Sequence, residues 1–301
     1  MEVSPNISVS KLVKEMGLCG VLGAGRVAKA SEILKEMFFN PDYTVYISLA
    51  GPVVAGGLRN IVSRLIAEKL VDVVVSNGGN LTHDLIEALG FKHLRGENHP
   101  NDVNLNKKKI GRIGDVYVKQ NAFQTLEKEV YRMLDRLIKE HGETKIFPVY
   151  RVLEAFGFMV KDENSILALA SKMGVPVFSP GIYDSMLGYH LWTYGRLKGL
   201  KFDFSLDMEK MAETVFKSKK IGAIILGGGL PKHFVLGASM LKGGVDAAIQ
   251  ITMDRPETGS LSGAPLEEAI SWGKAKAKSR LVNVIGDYTV LFPLIVASVF
   301  S

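Results

Sequence analysis

Short apolar, β-branched runs alternate with stretches of helical periodicity along nearly the whole chain, and this alternation restricts the fold more than any other feature. Runs at 44–49, 71–75, 175–178, 223–226, 247–252 and 282–285 read as strands. Between them, 57–68, 82–89, 122–140, 165–173, 207–217 and 231–241 carry the spacing of amphipathic helices. Such a rhythm predicts an α/β fold, a doubly wound and mostly parallel sheet with helices on both faces. The strand runs are largely continuous in apolar residues, as strands covered on two sides are. The segment 93–114, polar and rich in Asn and Lys, breaks the rhythm and is expected to leave the sheet. Neither a solenoid-period repeat nor a low-complexity linker is visible. The expected organisation is an N-terminal arm over 1–20 and a single domain over 21–301.

Several function classes lose ground on composition. The N-terminus lacks a basic region followed by an apolar core, so no secretory signal is read there. The longest apolar run, 288–300, is too short for a membrane span. Cys19 is the sole cysteine, which excludes an internal disulfide and a cysteine-based metal site; a reducing cytoplasm is the expected setting. The formal charge of +6 is scattered in small groups (Lys107, Lys108, Lys109; Lys217, Lys219, Lys220; Lys274, Lys276, Lys278) without interleaved aromatics. Nucleic acid is therefore not an expected partner, and neither is a membrane.

Glycine turns close several expected strands: Ala50-Gly51-Pro52, Asn77-Gly78-Gly79, Gly227-Gly228-Gly229 and Gly286-Asp287. In doubly wound sheets ligands bind beyond these strand ends, where glycine admits a pyrophosphate and helix N-termini face it. One such turn alone reads as a tight turn; four together point to a nucleotide crevice. The G-x-G-x-x-G fingerprint is absent, so an ordinary dehydrogenase site is not supported.

The most specific chemistry lies in Glu267-Glu268-Ala269-Ile270-Ser271-Trp272-Gly273-Lys274. A cation can sit on the indole face while a carboxylate balances it. A desolvated lysine near other cations loses its proton and becomes a nucleophile for imines. Pro265 is a suitable first helical residue, with Glu268 and Trp272 on one face at i and i+4. If the helix continued, Lys274 would point away from Trp272. Gly273 is expected to end it in a left-handed cap that turns Lys274 toward the indole.

This segment and its surroundings resemble deoxyhypusine synthase. The resemblance includes Val71-Asp72-Val73-Val74-Val75-Ser76-Asn77-Gly78-Gly79, Pro176-Val177-Phe178-Ser179-Pro180, and Ile224-Ile225-Leu226-Gly227-Gly228-Gly229 followed by Lys232-His233. It continues through Gly259-Ser260-Leu261-Ser262-Gly263-Ala264 into Ser271-Trp272-Gly273-Lys274, Gly286-Asp287 and Phe292-Pro293. What it implies is NAD-dependent transfer of the butylamine arm of spermidine to a lysine of the translation initiation factor 5A precursor. It further implies a homotetramer with active sites between paired subunits. Lys274 matches the family's nucleophile; Glu268 and His233 match residues that handle the amine, and no metal is implied. Gly51, Pro52, Val53, Val54, Ala55, Asn77, Gly78, Gly79, Asp184, Gly228, Met253, Asp254, Asp287 and Tyr288 match cofactor positions. His83, Tyr189, Ser262, Gly263, Ala264 and Trp272 match the amine cradle.

The cradle also departs from the family pattern. Thr82 and His83 stand where the eukaryotic-type enzyme has two acids, Tyr189 and Leu261 replace further acids, and Pro265 replaces an arginine. A multiply charged amine needs compensating carboxylates in a dry site. The Thr-His-Asp form looks like the archaeal and bacterial branch, where the polyamine need not be spermidine. Nearby acids that could compensate are Asp84, Asp254 and Glu257. Two other readings therefore stand: an aminoalkyl transferase acting on a small amine (homospermidine or agmatine-type chemistry), and an NAD-binding homologue without turnover.

Overall fold

The computed structural model describes residues 1–97, 99–142 and 144–300. Its strands are β1 (Tyr43–Leu49), β2 (Val73–Ser76), β3 (Leu94–Arg95), β4 (Ile110–Ile113), β5 (Val116–Lys119), β6 (Ile146–Phe147), β7 (Val177–Phe178), β8 (Lys201–Phe202), β9 (Lys220–Leu226), β10 (Val245–Thr252) and β11 (Ala275–Ile285). The chain divides into two compact units, one comprising 1–51, 70–75 and 208–301, the other 52–69 and 76–207.

In the first unit, strands of the main sheet follow the order β11-β10-β9-β1-β2. The β1/β9, β9/β10 and β10/β11 pairs are parallel. β9 and β10 are buried along nearly their whole length, so both of their faces are covered, as their continuous apolar runs require. Helices flank the sheet. Leu22–Phe39 packs against β1, β10 and β11, and Gly229–Ser239 packs against β1 and β9. The apolar run at the C-terminus forms the helix Tyr288–Phe300, which packs on Leu22–Phe39 and is joined to it by the Ser31 and Ser298 hydroxyls at 2.7 Å. The helix Val9–Cys19 begins at a Ser8 cap and ends at Gly20 in a left-handed conformation (φ 70°).

β11 is the edge strand. Its exposed positions carry Lys278 and Arg280, with Lys276 half-buried and paired to Asp246 at 2.7 Å. Charges of this kind discourage a second sheet from adding to the edge. Lys276 and Lys278, from one of the scattered basic groups, thus line a strand rim.

The second unit holds the helices Arg59–Ala67, Gly78–Ala88, Asn121–His141, Val149–Met159, Ile166–Met173 and Met186–Lys198. The segment expected to leave the sheet does so. β3, β5 and β4 form a separate antiparallel sheet, with the short helix Asp102–Lys107 between β3 and β4 in the chain. A buried ion pair fixes this unit's core. Asp84, fully buried, accepts Arg59 Nε at 2.6 Å, Ser165 Oγ at 2.8 Å, and the amides of Ile166 and Leu167 at 3.0 Å each. It caps the N-terminus of Ile166–Met173 from another helix, so it has no lone pair left for an amine substrate. Among the described residues no helix is long and apolar enough to cross a membrane.

Candidate active site

Lys274 is presented by the end of a very short helix. Regular α-helix spans only Glu268–Ser271, with Trp272 as its cap, so the expectation of a helix running from Pro265 through Trp272 is corrected. Gly273 takes φ 68°, its N–H donates to Ile270 O at 3.0 Å, and the Lys274 N–H reaches Ala269 O at 2.8 Å. These two bonds are the paired closing bonds of a Schellman turn, and glycine is required at their left-handed residue. The expected break is therefore present. The turn delivers Lys274 to the start of β11 with Nζ 5.6 Å from the Trp272 ring centroid, inside cation–π range. The carbonyl of Lys274 is held by Val245 N–H at 3.0 Å and Ser239 Oγ at 3.1 Å, which fixes the backbone under the side chain. Lys274 is half-buried and Trp272 is 64% exposed, so the chain by itself does not enclose the amine.

Beneath this turn lies a polar joint that the sequence did not reveal. Lys232 is 1% exposed and donates three bonds from Nζ: to Gln250 Oε1 at 2.9 Å, Leu261 O at 2.8 Å and Ala264 O at 2.7 Å. Gln250, fully buried in β10, uses Nε2 to bind Gly227 O at 2.9 Å and Ser262 O at 2.8 Å. One lysine and one glutamine thus tie the glycine turn after β9 to the 259–264 loop. Burial pulls the Lys232 amine down to about 8; the carboxylates of Glu268 and Asp254 oppose the fall and the Lys274 ammonium adds to it. The only advance signal was a lone polar residue, Gln250, inside an apolar strand.

The loop and the turn also fit each other sterically. A Cβ on Gly228 would meet Ser262 Cα at 2.5 Å, and one on Gly263 would meet Arg255 O at 2.1 Å. Ser262 Oγ accepts the Gly229 N–H at 2.8 Å, at the first residue of the following helix. Of the expected site residues here, Ser262 and Ala264 are half-buried and Gly263 is buried. Glu268, His233, Met253 and Asp254 are exposed. Gly51 has φ 71°, and a Cβ there would lie 2.8 Å from the Tyr288 hydroxyl. Burial, assisted by Asp287, pushes that hydroxyl up to about 12. Asp287 itself accepts the Thr289 N–H at 2.7 Å, capping the C-terminal helix.

In the second unit, Asn77 caps the helix Gly78–Ala88 through the Asn80 N–H at 2.9 Å, and Asn80 Oδ1 accepts Val54 N–H at 3.0 Å. The segment that follows Gly51 is thereby docked on a helix N-terminus. Val53, Val54 and Ala55 are buried, Pro52 is exposed and Gly79 is half-buried. A Cβ on Gly78 would sit 2.3 Å from Ser185 Oγ. Thr82 is buried, donating to Gly78 O at 2.9 Å and accepting Leu187 N–H at 3.1 Å, so it serves packing. His83 is half-buried, with Nδ1 2.8 Å from His93 Nε2. Asp184 and Tyr189 are exposed.

Flanked parallel strands, glycine turns at strand ends and a lysine set against an indole define an α/β protein with an amine-bearing site. The chain belongs to the deoxyhypusine synthase family, a family of transferases: the model described as "DS: Deoxyhypusine synthase" matches residues 11–299. It is 45% identical over 301 residues to a probable deoxyhypusine synthase of Methanothermobacter thermautotrophicus, covering 100% of this chain and 97% of that one. A probable deoxyhypusine synthase of Methanopyrus kandleri is 42% identical over 297 residues, covering 98% and 95%. The crystal structure of a putative deoxyhypusine synthase from Entamoeba histolytica superposes with a TM-score of 0.72 at 19% identity, covering 100% and 96%; at that identity the likeness concerns the fold.

Proposed function

We propose that the protein is a deoxyhypusine synthase, moving the aminobutyl group of spermidine to a lysine of the initiation factor 5A precursor by way of an imine on Lys274. The observation that carries the reading is the Schellman turn at Gly273, which sets the Lys274 amine against the Trp272 face on a fixed backbone. Lys274 exchanges with the substrate imine, releasing diaminopropane, and the acceptor lysine then displaces Lys274. Trp272 holds the cationic groups, and Glu268 balances their charge. His233 contacts the amine, and the 259–264 loop, tied down by Lys232 and Gln250, bounds it.

NAD fits the residues present. In the first unit the helix beginning at Gly229, and in the second the helix beginning at Gly78, each present an N-terminus that favours a phosphate. By the family resemblance, Gly51, Gly228, Met253, Asp254, Asp287 and Tyr288 of the first unit, and Pro52, Val53, Val54, Ala55, Asn77, Gly78, Gly79 and Asp184 of the second, are the residues that would contact it. When bound, it supplies the acceptor and later the donor of a hydride. A cytoplasmic homotetramer whose subunits shield one another's Lys274 fits the half-buried side chain.

The engagement of Thr82 in packing favours one alternative, transfer to or from a different amine, because no acid occupies that position. Incubation with NAD, labelled spermidine and candidate acceptors tests the reading. Label on the factor supports it, and label on a small amine supports the alternative. Absence of NADH with any polyamine contradicts both.

A further inference from the structure

The second unit contains an apolar cavity of about 180 Å³ where three helices meet. The end of Gly78–Ala88 contributes Leu85, Ala88 and the cap residue Leu89. Asn121–His141 contributes Leu126, Val130 and Met133, spaced four and three apart and so on one face. Met159 and Val160, where Val149–Met159 ends, form the third side. Leu85, Leu126, Val130 and Met133 are buried and make the floor; the other four are half-buried and make the rim.

Interiors are close-packed, and an unfilled space deprives its lining of contacts. The wall could be filled at Ala88, where a leucine side chain would occupy much of the space. Instead the small residue is matched by Met133 and Met159, whose flexible, polarisable side chains adapt to guests of varied shape.

The mouth is charged. Glu129, Arg132 and Lys161 stand there, two cations against one carboxylate, a net charge of +1. Glu129 Oε2 accepts Arg132 Nε and Nη2 at 2.7 Å each. That pair leaves Arg132 Nη1 and the Lys161 ammonium without an acceptor among the described residues.

We propose that this cavity binds a small amphiphilic anion, its apolar body against Leu126 and Met133 and its carboxylate at the mouth, on Lys161 and Arg132. A dry apolar cavity of about 150 Å³ admits benzene, so the volume here takes a ring or a chain of about six carbons. The surplus positive charge selects a carboxylate over an amine and disfavours a polyamine. None of the lining residues is among those assigned to the amine or the cofactor, so the site does not depend on the functional reading above.

Methyl NMR of the full-length protein labelled at its methionine methyls tests this, with Met133→Leu and Met159→Leu identifying two of the eleven resonances. Hexanoate is expected to shift both saturably, with a Kd of about 0.1–1 mM, and hexylamine to bind at least about tenfold more weakly. Lys161→Glu is expected to weaken hexanoate about tenfold while hexanol binding stays within about twofold. Ala88→Leu is expected to abolish the binding of both. A titration without saturation up to about 20 mM hexanoate overturns the proposal, as does hexylamine that binds equally well. Methyl shifts that follow protein concentration without any ligand also overturn it, because a side chain of a second copy would then fill the cavity.

Discussion

Lys232 Nζ and Gln250 Oε1 lie 2.9 Å apart in a fully buried joint, and between them these two side chains bind four backbone carbonyls. Lys232→Met leaves three acceptors without a donor, so a loss of about 2–4 kcal/mol in unfolding free energy is expected. Because the freed carbonyls belong to the 259–264 loop, kcat for NADH formation should fall at least about tenfold. Urea unfolding and steady-state rates measure both. An unchanged unfolding midpoint would show that the joint contributes little.

Gly273→Ala separates backbone geometry from packing. A Cβ there meets nothing within 4 Å, so the whole penalty comes from φ 68°. The expected cost is about 1–2 kcal/mol. Any relaxation of that turn carries Lys274 away from Trp272, so covalent labelling of Lys274 should drop more than stability does. Calorimetry alongside labelling yield checks this.

The Asp84–Arg59 pair is expected to be one of the most sensitive points of the second unit. Asp84→Ala removes the acceptor for an arginine side chain, a hydroxyl and two amides at once. Breaking a buried pair from one side costs about 3–5 kcal/mol. Chemical denaturation should register this loss, with little relief from added salt because the pair is shielded from solvent.

Asp207 sets a pH dependence. Burial, opposed by the amides of Tyr150 and Val149, pushes its carboxyl up to about 6. The folded protein therefore keeps a proton between about pH 4 and pH 6 that the unfolded chain has released. The stabilisation from this group is complete below about pH 4 and is lost as pH rises through 6. Relative to Asp207→Asn, wild type should lose up to about 3 kcal/mol between pH 4 and pH 7. Parallel unfolding curves for the two proteins would contradict the assignment.

Much of the sheet was legible because strands buried on two faces need predominantly apolar residues, as β1, β9 and β10 have. β11 was seen only from 282 onward, since its first half is a partly exposed edge carrying Lys276, Lys278 and Arg280. The helix Met186–Lys198 escaped notice because its apolar residues are not confined to one face: Tyr189 and Trp192 are exposed while His190 is buried. The break at Gly273 could be foreseen, because only glycine takes that conformation without strain. The joint under it could not. Nothing in the one-dimensional pattern separates Lys232 from a solvated helix lysine; only the approach of Gln250 and the 259–264 loop makes it a structural donor.

The most direct measurement is borohydride reduction of the protein incubated with NAD and labelled spermidine, followed by peptide mapping of the bound label. The account predicts one labelled peptide, with the butylamine adduct on Lys274, and no labelled protein from Lys274→Ala. Label on any other lysine, or an adduct that persists in the Lys274→Ala variant, would contradict it.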